Sequence, residues 1–203
     1  MDRHAHWQKI YESKAETEVS WHQDHPAASL TLIKDAGLPK DARIIDAGGG
    51  ASRIVDRLIE EGWTNITVLD IAPTALDKAR RRLGDRAALV TWLAADVTQW
   101  TPPEQFDLWH DRAVFHFLTD ASDRAAYATV MANAVSSGGH AIVGTFALDG
   151  PERCSGLPVR RYDGESLAAE FAAHFRLAVS ITEDHITPAG KVQRFQFCRL
   201  QRV

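Results

Sequence analysis

The run Ile44-Ile45-Asp46-Ala47-Gly48-Gly49-Gly50-Ala51-Ser52 constrains the fold more than any other stretch of the chain. A short β-branched segment ends in an acid, and a glycine-rich turn then opens into an amphipathic helix. Val68-Leu69-Asp70 follows about 20 residues after the glycines and supplies a second strand that also ends in an acid. This pattern predicts a βαβ unit that presents a nucleoside-bearing ligand at the carboxyl ends of its strands. A dinucleotide fingerprint needs its third glycine at position 53, where the helix packs close to the strand, and this chain has Arg53 there. Asp46 would repel a pyrophosphate and suits a ligand that carries positive charge.

The rest of the chain keeps the same rhythm. Residues 5–36 read as mostly helical, closed by Gly37 and Pro39. Arg43 to Asp46 is a strand, and Ile54, Val55, Leu58 and Ile59 form the apolar stripe of a helix ending at Gly62. Ile66 to Asp70 is the next strand, with Pro73 at a favoured first helical position and Gly84 as the stop. Leu89 to Ala94 and Phe106 to Asp111 are the third and fourth strands. A helix from Ser122 to Val135 is expected to end at Gly138-Gly139, before a strand from Ala141 to Phe146. This alternation predicts an α/β fold: a mostly parallel, doubly wound sheet with helices on both faces. Leu177 to Ile186 and Val192 to Leu200 are strand-like runs joined by Thr187-Pro188-Ala189-Gly190-Lys191, which predicts an antiparallel hairpin at one edge.

The 203 residues are most simply one domain, 1–203, long enough to bury a substantial core. The net charge of −4 and a pI near 6.1 argue against a nucleic-acid footprint. No apolar run has the length to span a bilayer, so no membrane partner is expected. Residues 1–7 are polar and lack the apolar core of a secretory signal, and Cys154 and Cys198 cannot build a disulfide framework. These features predict a cytosolic, cytoplasmic protein with reduced thiols.

Asp46-x-Gly48-x-Gly50-x-Ser52 resembles the first motif of class I S-adenosylmethionine-dependent methyltransferases, acid-x-Gly-x-Gly-x-small. Asp70 matches the acid that grips the ribose hydroxyls in that family, and Asp96, in Leu93-Ala94-Ala95-Asp96-Val97, matches the acid beside the adenine. Phe106-Asp107-Leu108-Trp109-His110-Asp111 looks like the family's fourth strand, and Val114-Phe115-His116-Phe117-Leu118 like the helix start after it. The resemblance covers residues 41–146 with the motifs in order. It implies a seven-stranded sheet of order 3-2-1-4-5-7-6 with its last strand antiparallel. It implies S-adenosyl-L-methionine as cofactor, held by Asp46, Gly48, Gly50, Ser52, Asp70, Ile71, Asp96, Val97 and His110. Residues 1–36, with Trp7, Tyr11 and Trp21, resemble the leading segment of methyltransferases that fold an amino-terminal helix over the cofactor as a lid.

The acceptor side is open to two readings at most positions. Asp111, Arg112 and His116 follow the fourth strand, where an imidazole is the natural proton acceptor. Equally, His116 is a packed residue and Asp111 caps the next turn. The connection from Thr145 to Tyr162 carries Cys154, Arg160, Arg161 and Tyr162, groups able to orient a substrate. Cys154 either meets a soft substrate or is an ordinary small side chain, and Arg160 and Arg161 either fix a carboxylate or phosphate or are solvated. His185 on the final hairpin and Trp21 in the leading segment complete the candidates. His4, His6, His22 and His25 lack acids or thiols at ligand spacing, so no metal is expected.

Asp111-Arg112-Ala113-Val114 has no acid-Pro-Pro-aromatic element and no Pro-Cys nucleophile, which disfavours nucleic-acid methylation. The function expected is methyl transfer to a small-molecule acceptor. A protein lysine is the runner-up, and an NAD-type oxidoreductase or a non-catalytic cofactor-binding module are readings of other classes.

Overall fold

The strands at the centre of the molecule are buried along their whole length because both of their faces are covered. Every residue of β1 (Ile44–Ala47) and β2 (Ile66–Asp70) is buried, as expected for parallel strands flanked by helices. The computed structural model describes residues 2–203. Ahead of β1 lie α1 (Arg3–Ser13) and α2 (Ala27–Lys34). The βα rhythm continues through α3 (Ile54–Glu60), α4 (Pro73–Leu83), β3 (Val90–Ala94), β4 (Phe106–Arg112), α5 (Ala121–Ala134) and β5 (Val135–Phe146). Two short strands, β6 (Arg153–Cys154) and β7 (Leu157–Pro158), precede α6 (Gly164–Ala169), and the hairpin β8 (Phe175–Ile186) and β9 (Val192–Arg202) closes the chain.

The main sheet has seven strands in the order β3-β2-β1-β4-β5-β9-β8. β1 to β5 run parallel, and β9 inserts antiparallel between β5 and β8. This is the expected order, with the hairpin as the last two strands. Successive side chains alternate between two cores: Leu108 packs with Ile44, Ile54 and Phe195 on one face, while Trp109 packs with Phe115, Tyr127 and Phe171 on the other.

Two local expectations are corrected. The helix before β5 stops at Ala134, and the strand begins at once at Val135 rather than after the glycine pair. Gly138 takes φ +79° inside a bulge, where pairing jumps from Phe106↔Val135 to Leu108↔His140. A glycine that can adopt a left-handed backbone ends a helix or bulges a strand equally well. After β4, the expected helix start is a single 3₁₀ turn at Phe115–Phe117, and α5 begins only at Ala121. Ala113 at φ +72° turns the chain sharply there.

The amino-terminal segment is two helices joined by a 3₁₀ turn at Glu16–Glu18. Asp2 caps α1 by accepting from the Ala5 N–H at 3.0 Å. α1 is pinned to α4 at its middle and at its carboxyl end: Gln8 bonds Thr74, and Lys78 Nζ donates to the Lys14 carbonyl at 2.5 Å. Among the described residues, no helix is long and apolar enough to cross a membrane.

Candidate active site

The carboxyl ends of β1, β2 and β4 open into one cleft, roofed by α1 and the segment that follows it. Parallel pairing sets Asp46 opposite Val68 on one side and His110 on the other. The glycine turn folds back on β2, with the Gly48 N–H donating to the Leu69 carbonyl at 2.6 Å. A Cβ at Gly49 would collide with Asp46 Oδ2, so glycine is required for the backbone to pass the carboxylate. Asp46 Oδ1 lies 2.7 Å from His110 Nδ1, and His110 Nε2 lies 2.8 Å from the Ser29 hydroxyl on α2. A carboxylate only accepts, so the imidazole donates to it through Nδ1. Asp46 Oδ2 is buried with no partner.

Asp70 is 5% exposed at the end of β2, and its Oδ1 accepts from the Ala72 N–H at 2.8 Å. Burial, helped by the charge of Asp46, pushes its pKa up to about 7 against the backbone donors that favour ionisation. The Tyr11 hydroxyl of α1 faces the same corner, and burial together with Asp70 raises its pKa as well. Asp96 sits further along the cleft, where Oδ1 accepts from the Thr98 N–H and hydroxyl at 2.9 and 2.7 Å. Arg3 of α1 lies 3.9 Å from Asp96 Oδ2 and bonds Asp123 at 2.5 Å. Ile71, Val97, Gly48, Ser52 and His110 also line the cleft. Gly50 stands just behind the wall, with Asp70 Oδ2 and the Tyr11 hydroxyl crowding the space a Cβ would occupy there.

The roof is aromatic. Trp7 meets Phe117 edge-on at 4.8 Å and Trp21 at 5.9 Å, and Tyr11 meets Trp21 at 6.2 Å. Arg3, Arg53 and Phe117 line the cleft but do not stand out as site residues in the sequence. Trp7 and Tyr11, four apart on one helix, form the roof together with Trp21.

The candidates on the acceptor side divide. Trp21, Arg112 and Cys154 reach the cleft wall. Asp111, His116, Arg160, Tyr162 and His185 are not part of it. Asp111 is fully buried, accepts from the Tyr127 hydroxyl at 2.5 Å and from the Val114 and Phe115 N–H groups, and so caps the turn after β4. Burial raises its pKa to about 6 despite those donors. His116 is also fully buried: its Nδ1 accepts from the Phe146 N–H at 3.3 Å, and burial and Arg112 lower its pKa to about 3. A general base must reach the proton that it takes, and neither side chain meets that condition here. Arg160 lies 3.6 Å from Glu170, Tyr162 bonds Glu170 at 3.2 Å, and His185 Nε2 lies 2.6 Å from the Ser20 carbonyl. These three tie the acceptor-side segments together from outside the cleft.

The residues fit S-adenosylmethionine. Two carboxylates, Asp46 and Asp70, are buried a strand apart, and one has an oxygen without any partner. Such groups are costly unless matched by donors or positive charge. An ammonium and a ribose diol supply both, and the glycine turn leaves backbone room beside them.

Residues 44–139 match the family described as a methyltransferase domain. Trans-aconitate 2-methyltransferase of Streptomyces avermitilis is 38% identical over 111 residues, 51% of this chain and 40% of that protein. Thiocyanate methyltransferase 1 of Brassica oleracea is 26% identical over 187 residues, 91% of this chain and 72% of that protein. The N-methyltransferase NodS of Bradyrhizobium japonicum, solved with S-adenosyl-L-homocysteine, superimposes with a TM-score of 0.74 at 16% identity, covering 96% of this chain and 97% of that one. The matched region spans 43%, 40% and 42% of the length of three of the curated relatives. The order of the sheet and the glycine turn between two acid-ended strands agree with the matched domain: residues 44–139 of this chain match a methyltransferase domain, and the whole chain shares the fold of the N-methyltransferase NodS.

Proposed function

We propose that this protein transfers a methyl group from S-adenosylmethionine to a small-molecule acceptor. The observation that carries the reading is the convergence of Asp46, Asp70 and Asp96 on one cleft under the aromatic roof of α1. S-adenosylmethionine, when bound, supplies a methyl group already activated on a sulfonium. The protein's part is then placement, exclusion of water and charge matching. Asp46, held by His110, offers its free Oδ2 to an ammonium. Asp70 accepts from a ribose diol, Asp96 and Val97 border the adenine end, and Ile71, Gly48, Gly50 and Ser52 shape the wall between them. Trp7, Tyr11 and Trp21 close the cleft against water, the lid role proposed for residues 1–36.

A small acceptor is favoured by the enclosed, aromatic-lined cleft and by relatives named for small substrates, trans-aconitate and thiocyanate. Arg112 on the wall disfavours the runner-up, because a lysine entering there would meet a cation. Arg53 in place of the packing glycine, with Asp46 beside the turn, disfavours NAD. The test is to incubate the protein with S-adenosylmethionine and pooled carboxylic acids, amines and thiols, and to follow S-adenosylhomocysteine by mass spectrometry. Product above that of Asp70→Ala with at least one pool supports the reading. Equal background in every pool, together with failure to bind S-adenosylhomocysteine, overturns it.

A further inference from the structure

Arg112 ends β4 at the cleft wall, and two contacts fix the plane of its guanidinium. Nη1 donates to the Trp21 carbonyl at 2.8 Å, and the Phe195 ring centroid lies 4.6 Å from the guanidinium carbon. Nε and Nη2 are both buried without a partner. Those two N–H groups form the side of a guanidinium that meets a carboxylate through two parallel hydrogen bonds, a geometry that an ammonium cannot reproduce. Among the described residues, no carboxylate forms an ion pair with Arg112. The carboxylates that act on it, Glu183 from β8, whose Oε2 is likewise buried without a partner, and Asp46 from β1, do so from longer range. Burial lowers its pKa to about 10, which leaves it cationic at neutral pH. A buried cation with its strongest donor pair unused is costly unless a ligand completes it.

We propose that Arg112 is a bidentate anchor for a carboxylate on the acceptor, and that this side chain selects acidic substrates. The inference rests on the methyl-transfer reading for the word acceptor and deepens it. The other arginines of the acceptor side are engaged elsewhere: Arg161 donates to Glu152 at 3.0 Å, and Arg160 lies 3.6 Å from Glu170. Trp21 supplies an aromatic surface beside the anchor, so the fitting ligand carries an apolar body on its acid. Where the anchored carboxylate oxygen is itself the methyl acceptor, it has no proton to lose. That agrees with Asp111 and His116 being sealed away from the cleft.

The probes are phenylacetate and its uncharged isostere phenylacetamide, titrated into the protein with and without saturating S-adenosylhomocysteine. The expected result is binding of the acid about tenfold or more tighter than the amide. That ratio should fall to near one in Arg112→Gln and to an intermediate value in Arg112→Lys, which keeps the charge and loses the fork. Equal binding of acid and amide by the unmodified protein, or no binding of either at millimolar concentration, overturns the anchor, as does a ratio unchanged in Arg112→Gln. Should Arg112→Gln fail to fold, the ratio in the unmodified protein and in Arg112→Lys still decides. If S-adenosylhomocysteine does not bind, the methyl-transfer reading fails on its own, and the titration without it still tests the anchor.

Discussion

His110 Nδ1 lies 2.7 Å from Asp46 Oδ1, so the fourth strand holds the carboxylate that ends the first. Ser29 bonds the far side of the same ring, linking α2 to the glycine turn through one imidazole. Replacing His110 by leucine leaves both Asp46 oxygens without partners in a buried place. We expect His110→Leu to weaken S-adenosylhomocysteine binding by about 1–3 kcal/mol, and Ser29→Ala by only about 0.5–1.5 kcal/mol. Calorimetric titration of the two variants checks the order, and a larger loss in Ser29→Ala would contradict it.

Asp70 gives a pH signature with a definite sign. Its pKa in the folded protein is raised to about 7, so the fold disfavours its ionised form. The unfolded chain releases this proton near the ordinary carboxylate range, and the Asp70 contribution to stability therefore falls as pH rises from about 4 to about 7. A ribose diol donates both of its hydrogens more strongly to the ionised carboxylate than to the protonated acid, so affinity for S-adenosylhomocysteine should rise with pH through about 7. Asp70→Asn should flatten that rise, and Asp70→Ala should cost about 1.5–3 kcal/mol of binding. Affinity independent of pH from 5.5 to 8 would contradict the assignment.

The frame of the molecule was legible because it rests on local patterns. Ile66 to Asp70 reads as a buried strand that ends in an acid, and it is one. Asp46, Asp70 and Asp96 were legible because an acid at a strand end is a local feature, and the sheet then brings the ends together. The glycine pair after α5 was misread because a positive φ serves a helix stop and a strand bulge alike. His116 and Arg112 show the deeper limit. Both follow the fourth strand, yet one is sealed by Phe146 and Phe117 while the other reaches Trp21 and Phe195, residues distant in sequence. Only the packed chain tells them apart.

His116 is accordingly predicted to matter for stability rather than for the chemistry. Its Nδ1 accepts the Phe146 N–H, so His116→Phe should cost about 1–3 kcal/mol of stability by stranding a buried donor. Turnover per folded molecule should change little. The pKa of about 3 in the fold lies below the ordinary 6.5, so the unfolded chain takes up a proton first as pH falls. His116 thus erodes stability from about pH 6.5 downward, and His116→Phe should remove that part of the acid sensitivity. Denaturant titrations at pH 5 and pH 7.5 measure it; a specific loss of turnover at full folding would restore the general-base reading.

The roof gives a further expectation. Trp7 packs edge-on against both Trp21 and Phe117. Trp7→Ala should weaken S-adenosylhomocysteine binding by about 1–3 kcal/mol, since two aromatic contacts and the shielding they give are lost together. Hydrogen exchange should show α1 protected by the ligand in the unmodified protein and far less so in the variant. Unchanged exchange in α1 upon binding would place the roof outside the working part of the site.

The central claim is that the cleft between Asp46, Asp70 and Asp96 holds S-adenosylmethionine. Calorimetric titration with S-adenosylhomocysteine, against NAD as control, tests it most directly. The account predicts micromolar binding of S-adenosylhomocysteine that is lost in Asp70→Ala, and no binding of NAD. Binding of NAD in preference, or no binding of either, would contradict it.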